Sequence, residues 1–166
     1  MMGMLLARVR SLETGRLVTW TINRLPEPGE MDAADIVTVN VYFGVHYHGV
    51  FAQHEREFEE KVYQPTVDYM AQLAANYPDH PLLVGEFGTV SVRGLRGDYR
   101  LTEDHHAAYI RCVASALRQS EHLSGTVLWA WADYFHNRDF IGNGGHLHTA
   151  FGPYGVVTSD RRIKTQ

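Results

Sequence analysis

Apolar positions along this chain alternate between two periodicities. Residues 5–12 read as the end of a helix that Thr14-Gly15 stops, and the β-rich run 17–22 follows at once. Past the turn-prone Pro26-Glu27-Pro28-Gly29, residues 35–42 are almost continuously β-branched, as expected of a strand covered on both faces. From 51 to 77 an acidic stretch gives way to Val67, Met70, Ala71 and Ala74 at spacing i, i+3, i+4, i+7, which predicts a helix broken at Pro65 and closed by Pro78. Residues 81–88 form a third short apolar strand ending in glycine. Thr102 then caps a helix with Glu103 and Asp104 in its first turn and Ile110, Val113, Ala114 and Leu117 as its apolar stripe, ended by Ser124-Gly125. A fourth strand spans 126–131, and a loop rich in Gly, His and Asn runs on to Gly155.

Strands alternating with helices indicate βαβ units and a parallel sheet, so the expected class is α/β. Four strands fit either a small open sheet or half of an eight-stranded barrel; in both, the active site lies at the strand C-termini. The composition, 45% hydrophobic and 20% charged, is that of a globular chain able to bury a core. A formal charge of −4 without a basic patch argues against nucleic acid or a membrane surface as partner. The single Cys112 excludes a disulfide framework within the chain. The opening apolar run is interrupted by Arg8 and Arg10, too short for a signal h-region or a membrane span, so a cytoplasmic location is expected.

Candidate chemistry gathers at the strand ends. The second strand ends Asn40-Val41-Tyr42, the third ends Gly85-Glu86-Phe87-Gly88, and the fourth ends Trp129-Ala130-Trp131-Ala132-Asp133. A carboxylate on such a rim can attack an anomeric carbon, a tyrosine hydroxyl can orient it, and an indole face can floor a sugar site. Taken singly, Glu86 reads as a solvated loop residue and the two tryptophans as core aromatics; their joint placement favours a site.

These motifs resemble the end of the catalytic barrel of family 2 glycoside hydrolases, the β-glucuronidase and β-galactosidase group, over about residues 17–164. The Glu86-Phe87-Gly88 turn is similar to that family's nucleophile turn after strand seven. Asn40-Val41-Tyr42 is similar to its strand-six motif and Trp129 to its strand-eight tryptophan, while residues 155–161 resemble the segment leading into its last helix. The resemblance implies that residues 1–166 are the C-terminal half (strands five to eight) of a (β/α)8 TIM barrel, a partial catalytic domain. It further implies a retaining mechanism with Glu86 as nucleophile and Tyr42 orienting it. Asn40, Trp129, Trp131, Asp133, His46 and His48 are the expected substrate contacts, and no cofactor is implied.

Two departures shape the expectation. The family's acid/base glutamate follows an asparagine, and no Asn-Glu pair occurs in this chain. The acid/base half is therefore expected to be missing, the isolated chain inactive, and self-association or pairing with an N-terminal half the expected assembly. The family's glucuronidases also carry an Asn-x-Lys for the uronate carboxylate, where this chain has Gly152-Pro153-Tyr154. A neutral β-hexoside such as a β-galactoside is thus the expected substrate, unless Arg138 or Arg161 compensates.

The ten histidines include His46-Tyr47-His48, His105-His106 and His146-Leu147-His148. No cysteine partner or His-Glu-x-x-His helix accompanies them, so sugar-hydroxyl contacts or plain loop solvation by His46, His48, His136 and His148 are expected in preference to a metal. Two rival readings remain: a half barrel that binds carbohydrate without catalysis, and a βα scaffold that oligomerises through open sheet edges.

Overall fold

The computed structural model describes residues 2–12, 15–45, 50–135 and 151–164. His46, His48, His136, Arg138, His146 and His148 lie outside the described residues. The element order is α1 (Met2–Leu12), β1 (Thr21–Ile22), β2 (Val37–Val41), α2 (Gln64–Asn76), β3 (Leu82–Phe87), α3 (Glu103–Leu117), β4 (Leu123–Leu128), β5 (Tyr134–Phe135) and β6 (Phe151–Gly152). The first four strands form one parallel sheet in the order β1-β2-β3-β4, so the sheet neighbours follow the chain. The α/β class and parallel sheet expected from the alternating runs are present.

Three element ends differ from the sequence pattern. Of the run 17–22, only Thr21 and Ile22 pair in the sheet. Upstream, Asp35 takes over: its carboxylate accepts the Val18 N–H at 2.6 Å, and its own N–H donates to the Val18 carbonyl. Pro65 does not break the helical run. A π-helical turn, Glu59–Tyr63, passes directly into α2 with proline in the first turn of the α-helix, where its missing N–H costs least. Ser124-Gly125 lies within β4, because α3 already ends at Leu117.

β2 is buried along its whole length, as its β-branched sequence requires. Val37, Val39 and Val41 join Leu82, Val84 and Phe87 of β3 in one core with Met70 and Leu73 of α2 and Tyr109, Val113 and Leu117 of α3. The opposite face of the sheet is more polar. There Thr19 and Thr38 share a hydrogen bond of 2.7 Å, and Asn40 donates to Asn23 at 2.7 Å.

A bulge in β3 decides which way the carboxylate of Glu86 faces. Val39 pairs with Val84 but Asn40 pairs with Glu86, so Gly85 is an extra residue. β4 meets the same insertion, since Val84 pairs with Thr126 and Phe87 with Leu128. Unbulged pairing would place Gly85 opposite Asn40 and turn Glu86 toward the helices; the extra residue moves it to the Asn40 face.

Candidate active site

Glu86 and Tyr42 stand at the C-terminal ends of the two central strands. The Tyr42 hydroxyl donates to Oε2 of Glu86 at 2.7 Å. Oε1 takes no hydrogen bond from the described residues. Burial is the main cause that pushes the Tyr42 hydroxyl far above its ordinary range, with the hydrogen bond to Glu86 and that residue's negative charge acting in the same direction. Tyr42 is therefore a neutral donor at any ordinary pH.

Gly88 brings the next strand close. A Cβ at this position would lie 2.0 Å from the Trp129 carbonyl oxygen, so only glycine allows β4 to approach here. Trp129 follows β4, donates its backbone N–H to the Phe87 carbonyl at 2.9 Å, and is joined to Ala130 by a cis peptide bond. Its indole is 38% exposed and meets the Tyr134 ring edge-on at 5.8 Å; Nε1 donates to the Tyr134 hydroxyl at 3.3 Å.

Tyr134 and Tyr154 form an aromatic pair next to Trp129, a role that the sequence pattern assigned to neither. Their rings stack at 6.2 Å, and Tyr154 is buried. Burial pushes the Tyr154 hydroxyl up to about 12, offset in part by the positive charge of the nearby Arg100. Tyr134 is raised mainly by burial, and the charge on Glu86 adds to the effect. The charge of Tyr154 likewise adds to the raising of Tyr42. Tyr134 carried no sequence signal beyond its place next to Asp133, and Tyr154 entered only as the last residue of Gly152-Pro153-Tyr154.

The other expected contacts are placed differently from one another. Asn40 is buried beside Glu86 in register, held by Asn23. Trp131 is 68% exposed. Asp133 is buried and its carboxylate is engaged within the chain: Oδ1 lies 2.7 Å from the Lys164 ammonium and accepts the Gly155 N–H at 2.9 Å. Lys164 also donates to the carbonyls of Ser91 and Pro153. Asp133 thus fastens the turn that carries Tyr154. A Cβ at Gly155 would lie 2.1 Å from the Asp133 backbone nitrogen, which explains the glycine at that crossing. Arg161 is exposed.

Below this turn Ser91 Oγ and His106 Nδ1 are 2.7 Å apart in the interior. Burial, with the charge of Lys164 adding to it, pushes His106 down to about 3. Ser91 has no exposure, so the pair holds the loop in place and is closed to a substrate. Among the described residues no group of three or more His, Cys, Asp or Glu is arranged to hold a metal ion. No helix among them is long and apolar enough to cross a membrane.

The fold is a mixed α/β arrangement around a parallel four-stranded sheet, and it is similar to a region of solved glycoside hydrolase structures. The β-glucuronidase of Ruminococcus gnavus in complex with D-glucuronic acid superposes with a TM-score of 0.82 at 21% identity, covering 99% of this chain and 27% of that one. The same enzyme in its apo form gives 0.81 at 20% identity, covering 99% of this chain and 28% of that one. Its complex with uronic deoxynojirimycin also gives 0.81 at 20% identity, with 99% and 27% covered. The chain therefore spans little more than a quarter of the length of these neighbours. No protein-family model matches the sequence, and no curated protein matches it.

Proposed function

We propose that this chain carries the nucleophile side of a retaining β-glycoside hydrolase, corresponding to strands five to eight of a (β/α)8 barrel. The observation that supports this most directly is the hydrogen bond of 2.7 Å from Tyr42 to Glu86, with Trp129 bonded through its backbone to Phe87, the residue after Glu86. Oε1 of Glu86 attacks the anomeric carbon of a β-hexoside as the bond to the leaving oxygen breaks. A carboxylic acid outside this chain, about 5–5.5 Å from Glu86, protonates that oxygen. Water then cleaves the glycosyl ester, and Glu86 is restored. Asn40 and the exposed edge of Trp129 contact the sugar, and Gly152-Pro153-Tyr154 favours a galactoside-like ring over a glucuronide.

An activated leaving group needs no acid, so the reading is testable on the chain as it stands. Incubation with 2,4-dinitrophenyl 2-deoxy-2-fluoro-β-glycosides is expected to release one dinitrophenolate per chain and to add one fluorosugar, mapped by mass spectrometry to Glu86. Glu86→Gln is expected to abolish labelling. Labelling elsewhere, or none with the galacto, gluco and glucurono forms, rejects the assignment.

β1 and β4 are the two outer strands of the sheet, and Leu17 and Val127 near them are exposed. Unpaired edges of this kind favour pairing with a complementary half or with another copy. Sedimentation is expected to show self-association of the isolated chain; a monomer at all concentrations rejects it.

A further inference from the structure

Lys164 is a buried cation with no part in bond making. Its ammonium has three N–H donors, and each meets an acceptor on a different stretch of chain: Asp133 Oδ1 at 2.7 Å, the Ser91 carbonyl at 2.8 Å and the Pro153 carbonyl at 3.4 Å. Each partner is close in sequence to the rim: Asp133 leads into Tyr134, Pro153 into Tyr154, and Ser91 follows Glu86-Phe87-Gly88. The three stretches also bond one another. The Ser91 N–H donates to the Pro153 carbonyl at 2.9 Å, and Oδ1 of Asp133 accepts the Gly155 N–H at 2.9 Å. The Lys164 side chain is 1% exposed, so these partners hold the ammonium and solvent does not.

A tight local turn returns the chain to this crossing. The Thr158 N–H donates to the Arg162 carbonyl at 2.8 Å, which reverses the backbone and lets the Lys164 N–H reach the Val156 carbonyl at 3.1 Å. Residues 130–133 run beside 154–157: the Ala130 N–H donates to the Tyr154 carbonyl at 3.1 Å, and the Asp133 N–H to the Val157 carbonyl at 2.9 Å. Along this ladder the Tyr154 ring stacks on Tyr134 at 6.2 Å, and the Tyr134 hydroxyl accepts from the Trp129 indole at 3.3 Å. The ammonium therefore stands at one end of a run of contacts, and the indole stands at the other. The Tyr42–Glu86 pair does not depend on that run, because the pairing of β2 with β3 holds it.

We propose that Lys164 is a positioning residue for the glycosidase site: through Asp133, Ser91 and Pro153 it sets the Trp129 indole in place as the sugar platform, and so governs sugar affinity. The inference rests on the glycosidase reading above and goes beyond it by dividing the labour, with Tyr42 and Glu86 making the bond and the Lys164 crossing holding the sugar. Loss of the ammonium takes the cation from the buried Asp133 carboxylate and a donor from the Ser91 carbonyl. The crossing then opens toward water, Tyr154 and Tyr134 shift, and the indole moves with them.

Labelling of Glu86 in the full chain over a range of 2,4-dinitrophenyl 2-deoxy-2-fluoro-β-glycoside concentrations separates the inhibition constant, the limiting rate at saturation and the fraction of chains labelled. Two variants are compared with the parent: Lys164→Met, and Lys164→Met combined with Asp133→Asn, which removes the stranded charge and guards against misfolding. Each is expected to raise the inhibition constant about 10-fold, the order of one misplaced aromatic contact, with the limiting rate within about two-fold of the parent. A merely structural role lowers the labelled fraction and leaves the constants of the folded chains unchanged; that result in the double variant overturns the proposal. A comparable loss in the limiting rate overturns it too, and so does failure of the double variant to fold, which would assign Lys164 to the fold alone. In all three cases labelling of Glu86 in the parent still stands. If the parent itself takes no label at Glu86, the glycosidase reading falls and this inference with it.

Discussion

The Tyr42 hydroxyl and Oε2 of Glu86 meet at 2.7 Å although the two residues are 44 positions apart in the chain. The contact exists because β2 and β3 are adjacent and parallel, and because Gly85 is inserted between paired residues. Tyr42→Phe removes the donor with little change in volume. Labelling of Glu86 by a dinitrophenyl fluoroglycoside is expected to slow about 10- to 100-fold, with the unfolding midpoint nearly unchanged. An unaltered rate would mean that Tyr42 does not orient the nucleophile.

Gly88 tests the approach of β3 and β4. Gly88→Ala drives a methyl into the Trp129 carbonyl, where the available distance is 2.0 Å. A loss of about 2–3 kcal/mol is expected in urea unfolding, with a shift of tryptophan emission as Trp129 moves. Stability within 0.5 kcal/mol of the parent, roughly the level of a neutral surface change, would contradict the packing described.

Lys164 is expected to matter through Asp133. Both side chains are almost wholly buried, 1% and 3% exposed, so Lys164→Met strands a carboxylate in the interior. The expected cost is about 3–5 kcal/mol, and Asp133→Asn in the same chain should recover a large part of it. Additive losses in the double variant would show that the two are not coupled.

His106 predicts a pH dependence. Its folded value of about 3 lies below the ordinary value of 6.5, so between these limits the unfolded chain binds the extra proton. Stability from the neutral ring is complete above about pH 6.5 and is lost as pH falls toward 3, at up to about 1.4 kcal/mol per pH unit. His105, also lowered by burial, acts in the same direction. Denaturant unfolding between pH 7 and 4 is expected to show a shallower slope in His106→Asn; an equal slope refutes the assignment.

The sequence alone determined the elements and the residue types at their ends. Period-2 and period-3.6 spacing are local consequences of strand and helix geometry, so the four strands, α3 with its Thr102 cap, and the clustering of Asn40, Tyr42, Glu86 and Trp129 at strand ends were legible. Tertiary structure decided what depends on register and on distant partners. The bulge at Gly85 that turns Glu86 away from the helices is invisible in a run of apolar residues, because pairing involves two other strands. Asp133 looked like a rim carboxylate until Lys164, 31 positions on, was brought to it.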